Sequence, residues 1–341
     1  MGRLMKIVYW NRSKKKQPLS GFKRYEEELY KKMQEIAPSF DIQRIQRSDN
    51  LIFGSIFFSF LFKYTTKNAD IVHATYQTLA PIVYLRKPKK FILTVLDLIP
   101  IVYPEVRTDK IQWIFSRYAL KRSDKIIAIS FFTKNEIIRL CGIDEKKIEV
   151  IYLGVDHTRY FPKDRSFCKK QLGLDENDKH ILIVSSNLPH KRMDIAKKVF
   201  NKVREEYPNV KLLKVGYGDI LAGDGIINLG LINEEDMPSI YNASDIYLHT
   251  SEYEGFGLPV LEAMACGIPV IVTNCASLPE IVGDCGHLID LADPNFIDNF
   301  SNAILLVLRE GNTKKVVERS KLFTWEKTAM QTLHSYQKVI K

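Results

Sequence analysis

The sequence predicts an α/β fold made of two domains, each a parallel sheet with helices packed on it, and three observations carry that prediction. At 341 residues the chain is too long for one ordinary core and suits two domains of about 150 residues each. Short runs rich in Val, Ile and Leu alternate with amphipathic stretches from end to end, the pattern of strand–crossover–strand units. A composition 45% hydrophobic and 26% charged is that of a soluble globular chain, neither disordered nor fibrous.

In the first half the predicted strands are 6–10, 71–73, 91–95, 125–129 and 148–152. Between the last two, residues 132–141 carry apolar side chains at helical spacing, and Gly142 supplies the stop. The second half repeats the style with strands at 181–185, 210–215, 226–229, 246–249, 270–273 and 287–289. Its helices are predicted near 192–206, 234–242, 259–266 and 295–309. Two such sheets in tandem imply two Rossmann-like domains facing an interdomain cleft, with ligands at the carboxyl ends of the strands. The expected division is 1–160 and 161–322, with 323–341 a terminal helix returning to the first domain.

Charge separates the two halves. Residues 1–160 hold 29 Lys/Arg against 16 Asp/Glu, and residues 161–341 hold 21 against 24. A basic half beside a near-neutral one predicts a face for an anionic partner. No Asp-x-Asp triplet occurs, so a metal-bridged diphosphate is not implied, and no metal or cofactor is expected. Cys141, Cys168, Cys266, Cys275 and Cys285 are an odd set without metal-type spacing and read as reduced thiols. No signal core and no run of about 20 apolar residues is seen, so a cytoplasmic protein is expected. The uncharged aromatic run 50–62, near Lys14–Lys16 and the lysines of 87–90, reads either as a buried helix or as one lying at the inner face of an anionic membrane.

The chemistry concentrates in residues 254–262, Glu-Gly-Phe-Gly-Leu-Pro-Val-Leu-Glu. This segment follows a strand and opens a helix. Gly255 and Gly257 allow a tight turn and close approach to a ligand, and Pro259 suits a first helical turn. Free N–H groups at that helix end would seat a diphosphate or sugar hydroxyls. Glu254 and Glu262 should lie on the order of 10 Å apart at ~1.5 Å per residue, enough to hold two parts of one nucleotide sugar.

Here the chain resembles the GT4-type retaining glycosyltransferases, which have the two-domain GT-B fold and a donor motif of Glu, seven residues, Glu. Further segments carry the resemblance: Gly21-Phe-Lys-Arg-Tyr25, Ile129 to Lys134, Val150 to Asp156, Leu229 to Asp245, and Ser277 to Gly283. The resemblance implies that Glu254 contacts the transferred sugar and Glu262 the ribose. It assigns the backbone of Gly255, Phe256, Gly257 and Leu258 to sugar and phosphate, and Lys191 to the leaving diphosphate. Ser186, where many members have Arg, and Leu231 fall on the donor side. Gly21 and His73 fall on the acceptor side, although a lone strand-end His more often serves structure. Asp97 either faces the cleft as a catalytic group or caps a turn. Leu96 stands where relatives carry His.

The reading is a metal-independent transfer of a hexose, mannose on resemblance, from a nucleotide sugar to a glycan or lipid-linked acceptor. The alternative is a nucleotide-sugar-binding protein weakened by Leu96. A dinucleotide oxidoreductase is disfavoured because Asn11-Arg-Ser-Lys-Lys replaces a Gly-x-Gly-x-x-Gly turn after the first strand. Nucleic-acid binding has no motif in its support.

Overall fold

The computed structural model describes residues 4–16, 20–47, 68–84, 88–103, 110–218, 220–311 and 314–340. Within them the chain divides into two compact units, Met1–Gly154 with Trp325–Lys341, and Val155–Thr324.

The first unit is built on a six-stranded sheet in the order β2-β1-β3-β4-β5-β6, from β1 (Met5–Lys14), β2 (Phe40–Arg47), β3 (Ile71–Ala74), β4 (Phe91–Val95), β5 (Lys125–Ala128) and β6 (Ile148–Val150). Every pairing is parallel. The central strands β3 and β4 are buried throughout, as strands covered on both faces must be. Two features differ from the sequence expectation. Strand β1 runs on past Trp10 to Lys14, because Asn11 and Lys14 still pair with Gln46 and Arg47 across a bulge. Strand β2, of sequence FDIQRIQR, was not expected; it is an edge strand, mostly half-buried, and its polarity hides it from a hydrophobic reading.

Helix α1 (Gly21–Ile36) follows β1 and buries Tyr25, Glu26, Leu29 and Met33. The Glu26 carboxylate accepts the backbone N–H of Arg12 at 2.7 Å and of Ser13 at 3.1 Å, and the Thr75 hydroxyl at 2.8 Å. It thereby satisfies donors at the end of β1 that would otherwise be buried and unpaired. The short α2 (Ile99–Val102), α3 (Lys110–Leu120) and α4 (Phe131–Cys141) complete this half. Ser130 caps α4 by accepting from the Thr133 N–H, and Gly142 ends it at φ 62°.

The second unit has a sheet of order β12-β11-β10-β7-β8-β9, from β7 (Lys179–Val184), β8 (Val210–Val215), β9 (Ile226–Gly230), β10 (Ile246–His249), β11 (Val270–Thr273) and β12 (His287–Ile289). Its helices are α5 (Arg165–Gln171), α6 (Met193–Glu206), α7 (Met237–Ala243), α8 (Leu258–Ala265), α9 (Leu278–Val282), α10 (Phe296–Glu310) and α11 (Lys314–Ser320). Apolar faces of α6 and α10, including Val199, Phe200, Phe300 and Ile304, close one core over Ile181, Leu212 and Leu248. Asp245 ties the start of this unit to the sheet: it accepts from the His180 backbone N–H at 2.9 Å and from Arg165 at 2.8 Å.

The division near 160 expected from sequence lies earlier in the structure. Val155 bridges Thr324 and donates to the Phe323 carbonyl at 3.3 Å, so 155–160 and 323–324 group with the second unit. The terminal helix α12 (Trp325–Ile340) packs on α1 in the first unit. The run 50–62 and Lys87 lie outside the described residues.

Candidate functional site

In the second sheet successive strands are added on one side of β7 up to β9 and then on its other side from β10, which pairs parallel with β7 through Ile246 with Ile181 and Tyr247 with Leu182. Such a switch point leaves a crevice at the carboxyl ends of the two strands. Lys191 lies in the loop after β7, Glu254 in the loop after β10, and α8 begins at Leu258 just beyond. The topology thus brings 191 and 254 together across 63 positions of sequence.

The contact is direct. Lys191 Nζ lies 2.5 Å from Glu254 Oε1, and His249 Nε2 lies 2.8 Å from the same oxygen. Burial alone would raise the Glu254 carboxyl, but Lys191 and His249 outweigh it and hold the group well below the usual carboxylate range. Its backbone is fixed as well, since Ser277 Oγ donates to the Glu254 carbonyl at 3.0 Å. The Lys191 loop is pinned by the Thr250 hydroxyl, 3.1 Å from the carbonyls of both Lys191 and Arg192. Arg192 in turn donates to Glu252 at 2.9 Å. Neighbouring His190 is pushed down to about 4, by burial first and then by the Lys191 charge.

Gly257 caps α8 at φ 100°, a conformation that side chains rarely adopt, and Pro259 falls in the first helical turn. Gly255, Phe256, Gly257 and Leu258 are all buried, and Phe256 packs edge-on against Phe323 at 6.0 Å. The first turn of α8 has no side-chain cap, and its N–H groups are of the kind that meet an anion at a helix end. One turn deeper, Glu262 is 3% exposed and accepts the Tyr241 hydroxyl at 2.8 Å. Ser186, half-buried, follows β7, whereas Leu231, 67% exposed, follows the edge strand β9.

The residues expected on the acceptor side belong to the first unit. Gly21 is exposed at the start of α1. Of the two roles open to His73, its surroundings fit the structural one: it is fully buried, its Nδ1 2.6 Å from Tyr336 Oη and its Nε2 2.8 Å from Thr94 Oγ1. Burial pushes its pKa down to about 3, so it is a neutral core histidine. Asp97 accepts the Ile99 N–H at 3.1 Å, a turn-capping bond, while Gln77 brackets the loop through the Asp97 carbonyl and the Leu96 N–H. Leu96 itself is 7% exposed.

Sequence reasoning passed over His249 and Tyr241. The signal for His249 was a histidine closing the strand Ile246–His249 five residues before Glu254.

A model described as glycosyltransferase family 4 matches residues 23–159, and one described as glycosyl transferases group 1 matches residues 164–321. The chain belongs to this glycosyltransferase family. Among its curated relatives, O-antigen chain mannosyltransferase B of Escherichia coli is 30% identical over 245 residues, covering 64% of this chain and 62% of that protein. N-acetyl-alpha-D-glucosaminyl L-malate synthase of Bacillus anthracis is 31% identical over 161 residues, covering 44% and 41%. The matched regions therefore span less than two thirds of either relative. Sucrose-phosphate synthase from Thermosynechococcus elongatus has the same fold, with a TM-score of 0.80 at 20% identity over 98% of this chain and 99% of the other. So does Anabaena HepE, solved in complex with UDP and glucose, with a TM-score of 0.78 at 19% identity over 98% and 100%. The family's GT-B architecture, two parallel α/β sheets, is what the chain displays.

Proposed function

We propose that the protein is a retaining, metal-independent glycosyltransferase that moves a hexose from a nucleotide sugar to a glycan or lipid-linked acceptor. The observation that carries the reading is the convergence of Lys191 and Glu254 beside the α8 N-terminus at the β7/β10 switch point. A cation and a helix end are the groups that stabilise negative charge developing on a departing diphosphate, and a carboxylate beside them can fix a sugar hydroxyl.

In this mechanism the bond between the anomeric carbon and the diphosphate oxygen breaks, and its electron pair leaves on the phosphate. Lys191 and the N–H groups of 255–258 take up that charge. The acceptor oxygen attacks the same face of the oxocarbenium-like centre, and its proton passes to the leaving phosphate oxygen. Glu254 holds the sugar, Glu262 the ribose, and Ser186 and Leu231 border the nucleotide side. Because the positive charge is supplied by the protein, EDTA should leave the rate unchanged. The mannosyltransferase among the relatives favours mannose as the sugar.

Association with an anionic membrane through the first unit is part of the proposal. Its basic excess supports it, as do Ile114, Phe115 and Tyr118, exposed on α3 beside Arg117 and Lys121. Among the described residues no helix is long and apolar enough to cross a membrane.

Thermal-shift screening with UDP-, GDP- and ADP-sugars, followed by transfer assays with the best binder, tests the reading. Stabilisation by at least one donor and transfer that Glu254→Ala lowers about a thousandfold are expected. A second reading, donor binding without turnover, is favoured by Leu96, whose side chain offers no hydrogen bond. Tight binding with neither transfer nor donor hydrolysis would select it.

A further inference from the structure

Both donors to Glu254 land on one oxygen. Lys191 Nζ and His249 Nε2 share Oε1, and Oε2 receives no bond from the described residues. The two donors are unlike in kind. Lys191 ends a flexible four-carbon stem and its side chain is 17% exposed. His249 sits on β10, is 2% exposed, and lies stacked on Tyr247 with 5.9 Å between ring centroids and 23° between planes. Its Nδ1 is 3.2 Å from the Tyr247 hydroxyl. A carboxylate can only accept, so Nε2 carries the proton toward Glu254, and in the neutral ring Nδ1 accepts from Tyr247.

The row continues inward. Tyr247 packs against Tyr241 at 6.0 Å, and Tyr241 donates to Glu262 at 2.8 Å. The two glutamates expected to grip the donor are therefore both held from the core side, by one line of buried rings.

Resting on the function proposed above, we infer that His249 is a positioning residue that keeps Glu254 in place when Lys191 is drawn off to the diphosphate. Lys191 cannot fully neutralise Glu254 and the leaving group at once. When it turns to the phosphate, Glu254 would be a mostly buried carboxylate without a donor, free to rotate away from the sugar, were His249 not bonded to Oε1. With Oε1 held, Oε2 stays aimed outward for a sugar hydroxyl.

Two variants and one spectrum test this. His249→Leu removes the donor at similar volume, and His249→Gln returns an N–H near the Nε2 position. The Leu variant should lose about 10–100-fold in kcat with donor KM within about threefold, and the Gln variant should recover most of that loss. A Leu variant with wild-type kcat per folded molecule, or a Gln variant that recovers nothing, overturns the inference. Independently of activity, the ¹⁵N imidazole spectrum of the ligand-free wild type should show His249 protonated at Nε2, with a resonance that moves in Glu254→Ala. A ring protonated only at Nδ1 overturns the inference even if no donor supports transfer. Absence of transfer by the wild type, with the Nε2 signature present, instead counts against the proposed function alone.

Discussion

Lys191 and Glu254, 2.5 Å apart with side chains only 17% and 12% exposed, neutralise one another. Removing one leaves the other charged and mostly out of water, which costs far more than the pair contributes. Lys191→Ala should therefore destabilise the fold by roughly 3 kcal/mol and lower transfer about 100- to 1,000-fold. Adding Glu254→Ala should return much of the stability and none of the activity; urea unfolding of the single and double variants measures this. Two buried histidines of the second unit make the fold acid-sensitive. Burial holds His180 and His190 down at about 4, against about 6.5 in the unfolded chain. The unfolded state then binds protons first, so stability present above pH 6.5 is lost as pH falls toward 4. Depression of Glu254 acts in the same sense, below the ordinary carboxylate range. Melting temperature should decline steadily from pH 6.5 to 4; a flat profile would contradict the buried, neutral assignment of both histidines.

At the level of elements, glycines separate backbone needs from mere exposure. Gly216 follows β8 at φ 121°, and a Cβ there would stand 2.3 Å from the Ser185 carbonyl oxygen after β7. Gly142 closes α4 at φ 62° in open space. Gly216→Ala should cost more than about 2 kcal/mol, because backbone must move, while Gly142→Ala should cost only about 1 kcal/mol. Chemical denaturation of both variants reads the difference. Most of these elements were visible in the sequence, since apolar strands such as 91–95 and 270–273 announce themselves by composition. Strand β2 was not, because an edge strand needs little apolar surface and its register comes from pairing with β1. The motif at 254–262 was legible for a related reason: its glycines and proline encode a turn locally, before any packing.

Across the whole molecule the chain crosses between its two units near 154/155 and again near 324/325. The returning helix α12 is integral to the first unit. Tyr336, fully buried, bonds both His73 at 2.6 Å and Tyr9 at 2.9 Å, and Thr328 donates to the Tyr152 carbonyl at 2.7 Å. Lys32 of α1 pairs with Glu326 at 2.6 Å. Tyr336→Phe should cost about 1–3 kcal/mol, since buried partners at His73 and Tyr9 lose their bonds. Truncation after Thr324 should unfold the first unit at far lower temperature while leaving the second cooperative. Calorimetry that finds a single unchanged transition would remove α12 from that role.

What the sequence determined by itself was local or periodic: the alternation that makes parallel sheets, the glycines and proline that turn 254–259 into a helix entrance, and the charge difference between halves. Family resemblance singled out Lys191 and Glu254 separately. Only the tertiary structure set them on one oxygen with His249, because contacts spanning 63 positions depend on which strands become neighbours. It also decided the fate of His73. A strand-end histidine can face a ligand or the core with the same local sequence, and Tyr336, 263 positions away, supplied the partner that drew it inside.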